Sequence, residues 1–108
     1  MLSKDQTEFE YGGNTYVINA LDASYGIEAM NKLAEFANNN MNPSAPFIKG
    51  VVLKSVTHNN KAVNEKWFDK HFSRNYAELN ALFTKIIEFN FGEMGADGVP
   101  NGEGDTSE

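Results

Sequence analysis

The stretch Trp67–Phe91, WFDKHFSRNYAELNALFTKIIEFNF, constrains the fold more than any other part of the chain. It holds the only Trp and five of the eight Phe. Phe68, Phe72, Tyr76, Leu79, Phe83 and Ile86 follow one another at steps of four, four, three, four and three. That spacing lines up one face of an α-helix. Leu82 and Ile87 widen the stripe. Asn75, with Glu78 three residues later, has the form of a capping box, which predicts two helices with a break near Ser73–Asn75. A row this apolar has to be covered, and 108 residues have room for one modest core.

The cover is expected from the N-terminus. In EFEYGGNTYVIN, Phe9 and Tyr11 alternate with Glu8 and Glu10, the period of a strand with one wet face. Gly12-Gly13-Asn14 supplies the positive φ angles of a tight turn, and Tyr16 and Ile18 continue the apolar face on the return strand. Two strands alone are marginal in water, so this β-hairpin must pack on the helical stripe. The same glycines lack the following helix and the Lys of a phosphate-binding loop.

A helix follows, capped by Asp22 or Ser24, with Ile27, Met30, Leu33, Ala34 and Ala37 as its expected buried face. Asn38-Asn39-Asn40 suits its end, because Asn tolerates the left-handed conformation. Phe47–Thr57 admits two readings. Its valines favour a strand, while the spacing of Phe47, Ile48, Val51, Val52 and Ser55, with Pro46 in front, favours a helix, and the helix is preferred. His58–Lys61 reads as a loop, and Asn64 as the cap of the next helix. The expected architecture is α+β: an N-terminal β-hairpin packed on a small bundle of three to four helices, in a single domain over residues 1–92.

Residues 93–108 carry five acids and no Lys or Arg, whereas the remainder balances ten acids against nine bases. Glycine supplies five of the last seventeen residues. Such a segment cannot offset its own ordering entropy, and a flexible acidic tail is expected. Neither part offers the concentrated basic patch that nucleic acid phosphates require. No apolar run reaches the length of a membrane span, and the first ten residues lack a signal-peptide pattern. Cysteine is absent, which excludes disulfide and thiolate chemistry.

His58 and His71 are the only histidines, and no converging set of metal ligands or nucleophile motif accompanies them. The residues give no catalytic group, metal or cofactor. The aromatic excess points instead to protein binding. Trp67 and Phe68 at one end of the stripe, and Phe89 and Phe91 at the other, exceed what a hairpin and one helix can cover. These four are the candidate partner-binding residues, and weak self-association through the same surface is expected.

The hairpin Phe9-Glu10-Tyr11-Gly12-Gly13-Asn14-Thr15-Tyr16, the segment Trp67-Phe68-Asp69-Lys70-His71-Phe72 and the ending Glu88-Phe89-Asn90-Phe91-Gly92 follow in an order that resembles the small tail assembly chaperones of tailed bacteriophages. The resemblance covers residues 8–92. It implies a non-enzymatic protein of the infected host's cytoplasm. Such a protein keeps the apolar, helical tape-measure protein soluble while tail tube subunits gather around it. A small acidic inhibitor is the competing reading, weakened by the balanced charge outside the tail. If residues 93–108 contribute nothing to the fold, truncation after Gly92 changes stability by less than about 1 kcal/mol in urea melts, the range of neutral surface changes.

Overall fold

A computed structural model describes the backbone of residues 2–97 and the side chains of residues 2–92. The elements are β1 (Gln6–Tyr11), β2 (Asn14–Asn19), α1 (Ala23–Asn38), α2 (Ala45–Ser55), β3 (Val56–His58), β4 (Lys61–Ala62), α3 (Glu65–His71) and α4 (Tyr76–Asp97). Helix α4 is interrupted at Gly92, where φ is 58° and ψ is −139°. The architecture is α+β, an N-terminal hairpin followed by helices. The expected acidic tail over residues 93–108 falls outside the described side chains, and residues 98–108 fall outside the described residues altogether.

The first hairpin forms as its sequence dictates. Tyr11 pairs with Asn14, leaving Gly12 (φ 55°) and Gly13 (φ 87°) as the two central residues of the turn. Positive φ at both matches the twist of the flanking strands. The hairpin is not alone, however. The sheet has four antiparallel strands in the order β1-β2-β3-β4. The ambiguous segment 47–57 is both of its readings in succession. The Ser44 hydroxyl accepts from the Phe47 amide at 3.4 Å and starts α2, which ends at Ser55. Val56 and Thr57 then pair with Ile18 and Val17. The expected loop at His58–Lys61 is a second two-residue hairpin, with Asn59 (φ 54°) and Asn60 (φ 65°) at its centre. Asparagine is the non-glycine residue that tolerates this geometry best.

Strand pairing arranges the inner face of the sheet in two rows. Phe9, Tyr16 and His58 lie side by side, and next to them Thr7, Ile18 and Val56. Against these rows pack Val51 and Val52 of α2, Phe68 and Phe72 from α3 and its cap, and Leu82 and Ile86 of α4. Asn19 extends the sheet by side-chain bonds: it accepts from Gln6 Nε2 at 2.7 Å and donates to the Ser55 carbonyl at 2.9 Å. Asn90 of α4 accepts from the Leu21 amide at 2.8 Å and so fixes the path of the chain between β2 and α1.

The central stripe is buried only in part. The break falls as expected, with Arg74 at φ 60°. It resets the helical phase, so the stripe does not continue through it. The buried line of α4 is Glu78, Leu82 and Ile86, flanked by half-buried Leu79 and Phe83. Tyr76, expected in the stripe, is 67% exposed.

Helix α1 corrects a second expectation. Asp22 stands at its N-cap without a side-chain bond to the helix. Its C-terminus closes as predicted: with Asn40 at φ 55°, the Asn40 and Met41 amides return to the carbonyls of Ala37 and Phe36, the Schellman pattern. The face toward the core is Tyr25, Ala29, Leu33 and Phe36; of the expected face only Leu33 belongs to it, and Met30 is half-buried. Phe36 meets Phe47 edge-on at 5.5 Å, and a Cβ added at Gly50 would lie 3.0 Å from the Tyr25 hydroxyl oxygen. The sequence offers α1 two apolar stripes, and the aromatic one wins because it removes more surface from water. Ile27 is left 56% exposed, Ala34 and Ala37 are exposed, and Met41 beyond the helix is 57% exposed.

These burials set the expected stability changes. Phe72→Ala should lower stability by about 3–5 kcal/mol, since it empties a fully packed aromatic site. Tyr76→Ala should stay within about 0.5 kcal/mol, as for other exposed positions. Equal urea midpoints for the two variants would contradict the break in the stripe.

Candidate functional site

Three elements meet at one buried carboxylate. Glu78, in the first turn of α4, is 3% exposed. It accepts a hydrogen bond from the Tyr16 hydroxyl of β2. Asn14 Nδ2, from the end of the first turn, donates to the same oxygen at 3.0 Å. Asn75 Nδ2 donates to the other oxygen at 3.2 Å. The expected capping box is therefore altered: Glu78 takes the Asn75 side-chain amide, and its carboxylate points into the core. A Cβ added at Gly12 would lie 3.4 Å from Glu78 Oε1, so the glycine turn also leaves room for the carboxylate.

His71, at the end of α3, completes the group. Its Nε2 lies 2.7 Å from the Tyr16 oxygen and 3.9 Å from Glu78 Oε2. The phenol has one O–H, and it donates that to Glu78. His71 Nε2–H is then the donor to the phenol oxygen, which leaves Nδ1 as the acceptor of the neutral ring. Around His71 the aromatic rings close in. Trp67 stacks on it at 4.5 Å and 16°, as their separation of one helical turn allows, and His58 of β3 lies 5.2 Å away. Tyr16 and Phe72 meet the same ring edge-on.

The charge states follow from these contacts. Burial alone would raise the Glu78 carboxyl and is the largest single influence. The hydrogen bonds from Tyr16, Asn14 and Asn75, with His71 nearby, outweigh it and hold the group below its ordinary value. Burial, then the bond to Glu78 and its charge, push the Tyr16 phenol far up, so it keeps its proton. Burial and the neighbouring His58 push the His71 imidazole down, against the pull of Glu78. The result is an ionised acid held by neutral donors, with a neutral histidine above it.

On the solvent side, Asn64, Lys66, Trp67, Lys70 and His71 line an open groove of about 390 Å³. Among the described residues no group of three or more His, Asp or Glu is arranged to hold a metal ion. No helix among them is long and apolar enough to cross a membrane. The arrangement is suited to holding the hairpin against α3 and α4.

The four residues predicted for partner binding do not form one surface of equal access. Trp67 is half-buried, with ring contacts to His58, His71 and Phe72. Phe68 is buried against Phe72, under the Lys49 ammonium, so the core takes a ring expected at the partner surface. Phe89 is half-buried against the core, and Phe91 is half-buried near the end of the described side chains. The sequence treats the two histidines as isolated, whereas the fold brings their rings together. Nothing local announces this, because His58 reaches the site only through the pairing of β3 with β2.

Compared with protein-family models, with curated proteins and with solved structures, the chain finds no match.

The ionisation pattern predicts a stability profile. For both His71 and Glu78 the folded value lies below the unfolded one, so the unfolded chain binds more protons in acid. Stability should be full above the unfolded imidazole value of 6.5, fall as pH drops below it, and fall again below the carboxyl value of 4.5. Urea midpoints of the wild type should therefore decline between pH 7 and pH 5, and His71→Gln should flatten that interval (conditions set by the ordinary histidine range). A wild-type midpoint that is level over the interval would contradict the half-buried neutral histidine.

Proposed function

We propose that this chain is a non-catalytic chaperone that binds an apolar, helical partner, as the tail assembly chaperones of tailed bacteriophages bind the tape-measure protein. One observation carries the reading. The stretches on which the resemblance rests are those that hold the fold together. Tyr16 of the hairpin bonds to His71 of the WFDKHF segment, and Asn90 of the EFNFG ending fixes Leu21 beyond β2. Residues scattered over the sequence thus act as one structural set, which supports reading them as a shared framework. The reading carries with it a role in tail tube assembly, contact with the tail tube protein, and residence in the cytoplasm of an infected host.

Partner contact falls to Trp67, Phe89 and Phe91. Each keeps part of its ring in solvent, whereas the burial of Phe68 removes it from the surface. A few aromatics of this kind dominate the energy when an amphipathic helix lays its apolar face on a surface. Co-expression with the tape-measure protein of the same genome, followed by pull-down, tests the reading. The wild type should capture the partner and keep it in the soluble fraction. Phe91→Asp should reduce capture with an unchanged circular dichroism spectrum. Failure of the wild type to capture or solubilise the partner would refute the chaperone role. Capture unchanged by Asp at Trp67, Phe89 and Phe91 in turn would refute this surface.

A further inference from the structure

We infer that the acidic segment 98–108 of this chain docks in the groove on α3, with carboxylates on Lys66 and Lys70 and its backbone across the solvent-facing edge of Trp67. The groove presents two parallel rows. Lys66 and Lys70 are four residues apart on α3, and Trp67 and His71 repeat that step one position on, so a row of cations runs beside a row of rings. Both lysines are exposed, and among the described residues neither makes an ion pair. The acids of the same helix, Glu65 and Asp69, lie about 100° round it on the side away from Trp67. Asp69 is also taken by Lys49 at 3.0 Å. Glu78 beneath the groove is buried, with its oxygens filled by Tyr16, Asn14 and Asn75. The groove therefore lacks a counter-charge.

The end of the sequence supplies one. Residues 98–108 read GVPNGEGDTSE, with three acids and no Lys or Arg. In an extended chain Glu103 and Asp105 point to the same side, about 6.6–6.8 Å apart. Lys66 and Lys70 are separated by about 6 Å along their helix, so the two spacings match. Gly102 and Gly104 flank Glu103 and add no side chain, which lets the backbone approach the indole closely. Charge also selects this groove over others. The hollow under α1 is lined by Glu28 and Glu35, and the one beside β1 by Glu88, so each would repel the segment.

Reach is sufficient. The groove lies at the N-terminal end of α4, and Tyr76 to Phe91 rises about 23 Å along that helix. The eight residues 98–105 span up to about 26–29 Å when extended. Attachment to the same chain raises the local concentration to about the millimolar range, so a weak contact is populated. Exposed ion pairs contribute little to stability, and the docked segment therefore leaves the urea melt of the truncated chain unchanged. Docking covers the edge of Trp67 until another molecule displaces the segment. That consequence rests on the partner role proposed for Trp67, whereas the contact itself does not.

Paramagnetic broadening in the full chain measures the contact. The chain has no cysteine, so Ser107→Cys carries a single nitroxide. At low salt the label should broaden the amide signals of residues 64–71 more strongly than those of the rest of the chain. The effect should vanish in about 1 M salt, where the screening length falls to about 3 Å. It should also vanish in Lys66→Gln/Lys70→Gln, while Lys85→Gln, beside Glu88, retains it. Broadening no stronger at 64–71 than elsewhere, or unchanged by the double substitution, would overturn the docking. So would equal broadening of nitroxide-free chains mixed with labelled ones, since the segment would then reach a second copy. No partner protein enters the measurement, so its failure leaves the chaperone reading standing, and failure of capture leaves this contact standing.

Discussion

The fold depends on an ionised carboxylate that no Lys or Arg among the described residues contacts. Glu78 is taken out of water and is stabilised by the Tyr16 hydroxyl and two asparagine amides. Burying a charge this way costs several kcal/mol unless its lone pairs are filled. The donors come from β2, from the turn before it and from the link between α3 and α4. None of them can move without leaving the carboxylate underbonded. The network therefore sets the angle between the sheet and the C-terminal helices more sharply than apolar packing does, because apolar contacts tolerate small displacements and hydrogen bonds do not.

Around this point the sheet and helices divide the work. Rows of side chains on the inner face of the sheet meet valines from α2 and aromatics from α3. Lys49 of α2 reaches Asp69 of α3 at 3.0 Å and lies over the Phe68 ring, which closes that corner. Helix α1 is the outlying element. It approaches through Ala29 and through Tyr25 over Gly50, both made possible by small residues. One apolar arc of α1 is thus satisfied internally and another faces solvent.

This division bears on function. Most aromatic rings serve the interior: Trp67, Phe68 and Phe72 surround the two histidines or fill the core beside them. At the surface, Leu2, Tyr11, Ile27, Met41 and Tyr76 are exposed, and Trp67, Phe89 and Phe91 keep part of their rings in solvent.

The sequence by itself determined the elements governed by near neighbours. The Gly12-Gly13 turn, the Ser44 and Asn64 caps, the Asn40 helix end and the break before Tyr76 all follow from residues within a few positions of one another. The Asn59-Asn60 hairpin was legible by the same turn chemistry but was hidden beside strands of three and two residues. Tertiary structure alone decided which stripe of α1 is buried, because the choice depends on what α2 presents to it. It also decided the polar site. His71 and Glu78 lie 55 and 62 positions from Tyr16. No local spacing encodes a bond across that separation. It arises only when the register of the sheet, the reset of helical phase at Arg74 and the space above Gly12 bring the groups together.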